Sequence, residues 1–385
     1  MSEVRVNNLS NENNTGGPTI SGITTYSGRH FFVPPQGDTA SRPSDCEPGS
    51  LRFNTDSAHL EYFRGNAIGW TEIEAELTEP LGGGTGSNTG LGTRALFGGG
   101  LSPSGYVDTI DYITLSTLGN AQGFGEFAGT DRGFAGGASS RTRALFMGGY
   151  AAPSKNNIDF NIFATLGNST DFGNLIADTG RPRGMASDQV RALFAGGDEQ
   201  PGTRAVATID YVTIAQEGNG VDFGDLVNAS RSGTNSTMGS STRGIFAGGN
   251  THPTTIKHIE FVTVATTGDA SDFGDLTAAT TQPGAFSNST RGVTGGGQSP
   301  SNTNVINFIT IATTGNAIDF GDRTVAVEQS TGASSPTRGV FAGGNPLTNL
   351  IDFVEISTTG NAIDFGDLTE IRRGAAGASN GHGGL

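Results

Sequence analysis

The sequence predicts an all-β protein built from six copies of one small sheet, and three observations carry that prediction. Glycine supplies 62 of 385 residues, with serine, threonine and asparagine also abundant, yet no collagen-like period appears. Only 34% of residues are hydrophobic, but they cluster in short runs such as ALF, DYITL and FVTVA. That pattern suits many short strands joined by turns. A repeat then sets the plan: TRALFGGG, TRALFMGG, VRALFAGG, TRGIFAGG, TRGVTGGG and TRGVFAGG recur with arginines at Arg94, Arg143, Arg191, Arg243, Arg291 and Arg338. Successive spacings are 49, 48, 52, 48 and 47 residues.

Each unit continues in a fixed order. A variable loop follows the Gly pair, and then comes IDYITLS, IDFNIFA, IDYVTIA, IEFVTVA, INFITIA or IDFVEIS. Apolar and polar residues alternate there, with many β-branched and aromatic types, so the segment reads as a half-buried strand. A TGNA-like turn leads to a short DFGDL segment, and a Gly/Ser/Ala-rich stretch closes the unit. Four short strands and no helix are expected per unit. A four-stranded unit of this length, repeated side by side, is the signature of a β-propeller blade. One small twisted sheet cannot hide both faces, but sheets around a common axis cover one another. The Gly-Gly pairs are read as scaffold, placed where little room exists near the axis.

The order of features resembles kelch repeats from about Leu81 to Leu385. No repeat contains the tryptophan of the kelch pattern, and phenylalanine stands near its place. The resemblance therefore implies a divergent kelch-like, six-bladed propeller over 93–385. The small-residue strand occurs before the first arginine, in LGGGTGSNTG, and again in the C-terminal GAAGASNGHGGL. Seven copies compete for six places. We expect the C-terminal copy to complete the first blade, leaving 76–92 as a linker or extra edge.

Several motifs suggest chemistry and are better read as structure. DFG begins at Asp171, Asp222, Asp272, Asp319 and Asp364. A kinase uses that tripeptide once, with a catalytic loop and a β3 lysine that are absent here. Recurrence marks a structural turn, with the aspartate bonding local N–H groups. Acid pairs such as Asp222 with Asp225 lack the spacing of a calcium loop. The repeated arginines suit an anion-binding ring, but the excess of carboxylates, 37 Asp and Glu against 22 Lys and Arg, favours ion pairs to acids of the next blade. His30, His59, His252, His258 and His382 form no metal-spaced cluster, and no cofactor is expected. No enzyme motif stands in its required context, so the expectation is a noncatalytic protein.

Charge and composition bound the partners. A net charge of -15, with 20 arginines and only Lys155 and Lys257 as lysines, disfavours nucleic acid. The single Cys46 excludes an internal disulfide framework. The N-terminus shows no signal-peptide pattern, and no stretch reaches the ~18 apolar residues of a membrane span.

The first 75 residues do not repeat. Residues 1–27 are polar and Asn-rich and would not fold alone, which suits a segment that orders along a partner. Residues 28–75 read as a small hairpin module: strand SLRFNT, turn DSA, strand HLEYF, turn RGN, then GWTEI. Its Phe31, Phe32, Phe53, Tyr62, Phe63 and Trp70 are many for so small a core. They are expected to dock on another chain, with a private mini-core as the alternative.

RPSDCEPGSLRFNTDSAHLEYFRGNAIGW, Arg42 to Trp70, resembles a hairpin module of tail fibres and other virion proteins of tailed phages, and the repeats resemble those of marine, cyanophage-like particles. That resemblance implies a virion structural protein bound to other virion proteins through its N-terminal region. It also implies a homo-oligomer that displays its propeller outward, where variable loops contact a host-surface glycan or protein. The alternatives are a capsid or tail decoration without receptor binding and, less favoured, a glycan-processing enzyme.

Overall fold

The structure is a computed structural model that describes residues 34–57, 59–66, 68–73, 93–199, 204–234, 236–251 and 253–385. The chain divides into two compact units, Met1–Leu77 and Thr78–Leu385. Phe31, Phe32, the 1–27 segment and the 76–92 copy of the small-residue strand lie outside the described residues.

In the first unit, Leu51–Asn54, His59–Phe63 and Trp70–Ile73 form an antiparallel meander, and Gln36–Gly37 adds in parallel beside Leu51–Asn54. Its centre is ionic as well as apolar. Glu61 is fully buried between Arg42 (2.6 Å) and Arg52 (3.3 Å) and accepts from Asn54 Nδ2. Burial opposes its charge, but the bonds from Arg42 and Asn54 and the two guanidinium charges win and hold its carboxyl below the ordinary value.

The described residues of the second unit have strands as their regular structure, arranged in six antiparallel sheets. Sheet two is typical, running Gly136–Ser139, Arg143–Met147, Asn157–Ile162 and Thr170–Asn174 in order. Sheets three, five and six repeat this order through Arg191–Glu199, Arg291–Gly295 and Arg338–Gly344. Sheet four has three named strands, beginning at Arg243–Ala247, with Gly239 bridging to Gly244 on its small-residue side. In sheet one the C-terminal Ala376–Ser379 pairs antiparallel with Arg94–Ser102, so a segment from the end of the chain supplies the small-residue strand of the first sheet.

Alternation within the strands decides where the core sits. Phe353 faces Phe365 while Ile351 and Val354 face opposite ways, so both faces of each sheet are apolar and need cover. The buried residues fall into six clusters, each shared by two sheets. One joins sheets one and two through Phe97's neighbours Leu96 and Ile110 against Phe146. The last joins sheet six to sheet one, setting Val340, Ile351 and Phe353 with Phe97, Ile113 and Leu115.

The small-residue strands are wholly buried and bonded to one another through serine hydroxyls. Ser139 Oγ donates to the Ser379 carbonyl (2.8 Å), Ser379 Oγ to Ser334 (2.7 Å), Ser334 Oγ to Ser287 (2.7 Å) and Ser287 Oγ to Gly239 (2.8 Å). Backbones approach so closely that a Cβ on Gly137 would overlap the Gly377 carbonyl. Alanine, glycine and serine predominate there because of this close approach, with Met185 and Phe286 as buried larger residues in two of the strands.

Candidate functional site

The residues that define the repeat are consumed in joining one sheet to the next. Each repeated arginine lies over the aromatic ring of its own sheet: Arg94 over Tyr112, Arg143 over Phe160, Arg191 over Tyr211, Arg243 over Phe261, Arg291 over Phe308 and Arg338 over Phe353, at 4.6–4.9 Å. From there Nη1 reaches the following sheet and donates to the carbonyls of Phe163, Ile214, Val264, Ile311, Ile356 and, from Arg338, Leu115 of the first sheet. The expected ion pair to an acid of the next repeat appears, among the described residues, only at Arg143, 4.0 Å from Glu217, and is corrected for the others. The partner is a backbone oxygen, because the guanidinium emerges opposite the end of a strand whose last carbonyl has no ladder partner.

The DFG segments are also reassigned. Asp171, Asp222, Asp272, Asp319 and Asp364 lie exposed on the outermost strands, not in turns bonding local N–H groups. The motif marks a β-bulge: Ile351 pairs with Gly366 and Asp352 with Asp364, which leaves Phe365 extra and turned inward. The same shift recurs in all six sheets. The inward phenylalanine meets its sheet's aromatic edge to face, as Phe365 does Phe353 at 6.0 Å and 81°. Glycine follows because the TGN turn of the next repeat lies against it, and a Cβ on Gly366 would meet the Gly119 carbonyl at 2.5 Å. That turn's side chain completes the joint. Asn168, Asn219, Asp269, Asn316, Asn361 and Asn120 accept from the N–H of Glu126, Asn174, Asp225, Asp275, Asp322 and Asp367 at 3.0–3.1 Å.

A set of buried ion pairs was not foreseen from the sequence. The acid of the I-D-F strand receives a guanidinium in four sheets: Asp111 from Arg372 (2.9 Å), Asp159 from Arg132 (2.7 Å), Glu260 from Arg183 (2.7 Å) and Asp352 from Arg323 (3.0 Å). Arg132 and Arg372 occupy the same place, four residues before their small-residue strands, while Arg183 and Arg323 stand elsewhere in their repeats. Asn307 holds the position in sheet five. Asp210 holds it in sheet three, bonded to the Ile176 N–H at 3.0 Å and without an arginine. Burial, opposed by that bond and reinforced by Asp222, pushes its carboxyl up to about 6.

In the first unit, Phe63 is buried and stacks on Trp70 at 5.5 Å, while Trp70 Nε1 donates to the Pro43 carbonyl at 2.9 Å. Phe53, Tyr62 and Trp70 keep partly exposed surface.

The chain leading into each small-residue strand carries one residue with left-handed backbone: Phe134, Arg181, Ser232, Gln282, Gln329 and Gly374, with φ from 51° to 64°. Five of the six are not glycine, an unusual concentration of strain. Their backbones bond head to tail. Phe134 N–H donates to Gly374, Arg181 to Phe134, Ser232 to Arg181, Gln282 to Ser232, Gln329 to Gln282, and Gly374 back to Gln329, at 2.7–3.0 Å. This hexagon floors a depression of about 300 Å³ lined by Leu101, Tyr106, Arg181, Arg231, Gln329 and Arg373, among others. Arg181 and Arg231 both pair with the buried Asp198, and Arg181 lies over Phe134 (5.2 Å) and Tyr150 (4.9 Å). Tyr106 meets Tyr150 edge to face at 5.8 Å. Burial raises the Tyr106 hydroxyl pKa above its ordinary value, with Tyr150 adding to this and Arg181 and Arg373 opposing it.

The other end of the small-residue strands is covered. The tail after Ser379 lies across it, with Gly383 N–H donating to Ser287 (2.9 Å). His382 sits fully buried, Nε2 3.1 Å from the Ser139 carbonyl and 3.1 Å from Ser187 Oγ, while Nδ1 accepts from Gly384 N–H. Nδ1 is thus an acceptor and the ring neutral. Burial pushes its pKa down to about 4 despite the Ser139 bond.

Among the described residues, no helix is long and apolar enough to cross a membrane. Comparison with protein-family models and with curated proteins returns no match.

Proposed function

We propose that the chain is a noncatalytic structural protein of a phage particle. Its N-terminal region docks to other virion proteins, and its repeats form a closed six-bladed, kelch-like propeller displayed outward for contact with the host surface. The observation that carries this reading is the use made of the repeated residues. Every repeated arginine and every DFG glycine meets the next repeat, every turn asparagine or aspartate meets the preceding one, and the sixth contact of each series joins the last repeat to the first. Such bonding suits a rigid scaffold, where loops and axial residues remain free to vary. The six shared cores, including the one between sheets six and one, support closure for the same reason.

Docking through the first unit rests on the resemblance of Arg42–Trp70 to a virion hairpin module and on the partial exposure of Phe53, Tyr62 and Trp70. Deletion of residues 1–70 tests it. The truncated protein is expected to keep its thermal transition and to disappear from assembled particles. Normal incorporation of the truncated chain would count against docking. A particle map showing the propeller buried among other subunits would favour a decoration or joint over a receptor-binding protein.

A further inference from the structure

We propose that the depression above the hexagon is a binding site for an acidic saccharide, one carrying a carboxylate on a sugar ring. This deepens the reading above and rests on its outward display of the propeller. The charge is anomalous for the molecule: the whole chain carries -15, yet the depression is lined by Arg181, Arg231 and Arg373 and by no acid. Asp198, beneath the first two arginines, pairs with both guanidinium groups and holds them in place beside Arg373. Glu328, the chain neighbour of Gln329, is buried and accepts from Asn345 Nδ2.

The neutral groups fit sugar hydroxyls. Ser232, Gln282 and Gln329 line the same space, and the amides of Gln282 and Gln329 bond each other at 3.0 Å. Two polar atoms of lining residues are buried with no hydrogen-bond partner among the described residues: Arg373 Nε, a donor, and Gln329 Oε1, an acceptor. Phe134 and Tyr106 supply the apolar faces that sugar rings prefer. A volume of about 300 Å³ is at the small end of ligand sites, which suits a terminal sugar. A peptide would use a strand edge or a long groove, and the depression offers neither.

The hexagon explains how such a site is built without a motif. Because its bonds are made by backbone groups, the six side chains are free to differ, and three of them, Arg181, Gln282 and Gln329, are long and polar. The left-handed backbone fixes each one's direction.

Calorimetric titration of the full chain tests the assignment, with a glucuronic acid oligomer, the neutral glucose oligomer of the same linkage, and sodium sulfate as probes. The uronate is expected to bind at least about tenfold more tightly than the other two. Arg373→Gln should weaken it about tenfold and Gln329→Ala severalfold, both with the thermal transition retained. If Arg373→Gln misfolds, Gln329→Ala decides. Equal binding of acidic and neutral oligomers, sulfate binding as tight as uronate, no saccharide binding, or affinity unmoved by both variants overturns the proposal. Particle incorporation of the same variants separates the two readings: normal incorporation without uronate binding sinks only the site, and loss of incorporation by the truncated chain bears only on docking.

Discussion

The Arg338 guanidinium donates from Nη1 to the Leu115 carbonyl at 2.9 Å, across 223 residues of chain. It is the sixth member of a series whose other five bonds link sheets that are consecutive in sequence. One side chain therefore does two jobs: it covers Phe353 at 4.6 Å and joins the last repeat to the first. A guanidinium–carbonyl bond contributes about 1.5–3 kcal/mol and the ring contact about 0.5–1. Arg338→Ala is expected to lower stability by about 2–3 kcal/mol in urea unfolding. Glu355→Ala, which removes only the exposed partner 3.2 Å away, should stay within about 0.5. Equal effects of the two variants would show that the surface ion pair, not the carbonyl bond, matters.

Two glycines in one strand separate space from conformation. Gly125 stands where the five DFG glycines stand, and a Cβ there would overlap the Gly167 carbonyl of the next repeat. Gly123, two residues earlier, occupies the position of the exposed aspartates and has open space around it. Gly125→Ala should cost roughly 2 kcal/mol or more, since backbone must move. Gly123→Ala should be neutral or stabilise by about 0.5. Thermal melts of the two variants give the comparison, and a larger loss at Gly123 would sink the account of the motif.

Asp210 gives a pH dependence of definite sign. Its native carboxyl titrates near 6 against an ordinary 3.8, so between those values the folded chain holds a proton that the unfolded chain releases. Stability from this group is present in acid and is lost as pH rises through 6, by about 3 kcal/mol at ~1.4 kcal/mol per unit. Asp210→Asn should therefore stabilise at pH 8 and have little effect at pH 4. Asn307, the natural amide at the same position in sheet five, accepts from Thr277 Oγ1, so the fold already accommodates that change. An unfolding free energy at pH 8 that fails to rise would contradict this.

His382 runs the other way. Its native pKa lies near 4 against 6.5, so over that interval the unfolded chain binds a proton that the buried ring refuses. Stability falls as pH drops from 6.5 toward 4, by roughly 3 kcal/mol. His382→Gln should flatten the acid limb of a plot of melting temperature against pH. Because Asp210 acts oppositely over an overlapping interval, His382→Gln is best measured in the Asp210→Asn background. An unchanged acid limb there would place the tail's anchorage elsewhere.

The sequence by itself determined the period, the strand order within each unit and the strands in which small residues predominate. Arginine, DFG and TGN recur because each side chain, or the lack of one, must meet the same atoms in every repeat. The C-terminal copy of the small-residue strand was legible as the partner of Arg94–Ser102 for the same reason: seven copies had six places.

Tertiary structure decided the rest. It gave the repeated arginines carbonyl partners, with an acid of the next repeat beside Arg143 alone among the described residues, because strand ends lie opposite them. It brought Arg132 and Arg372 from one place in the repeat, and Arg183 and Arg323 from two others, to four equivalent acids. Above all it assembled the hexagon from phenylalanine, arginine, serine, two glutamines and glycine. Its bonds belong to the backbone, which every residue shares, so no side-chain pattern could have announced it.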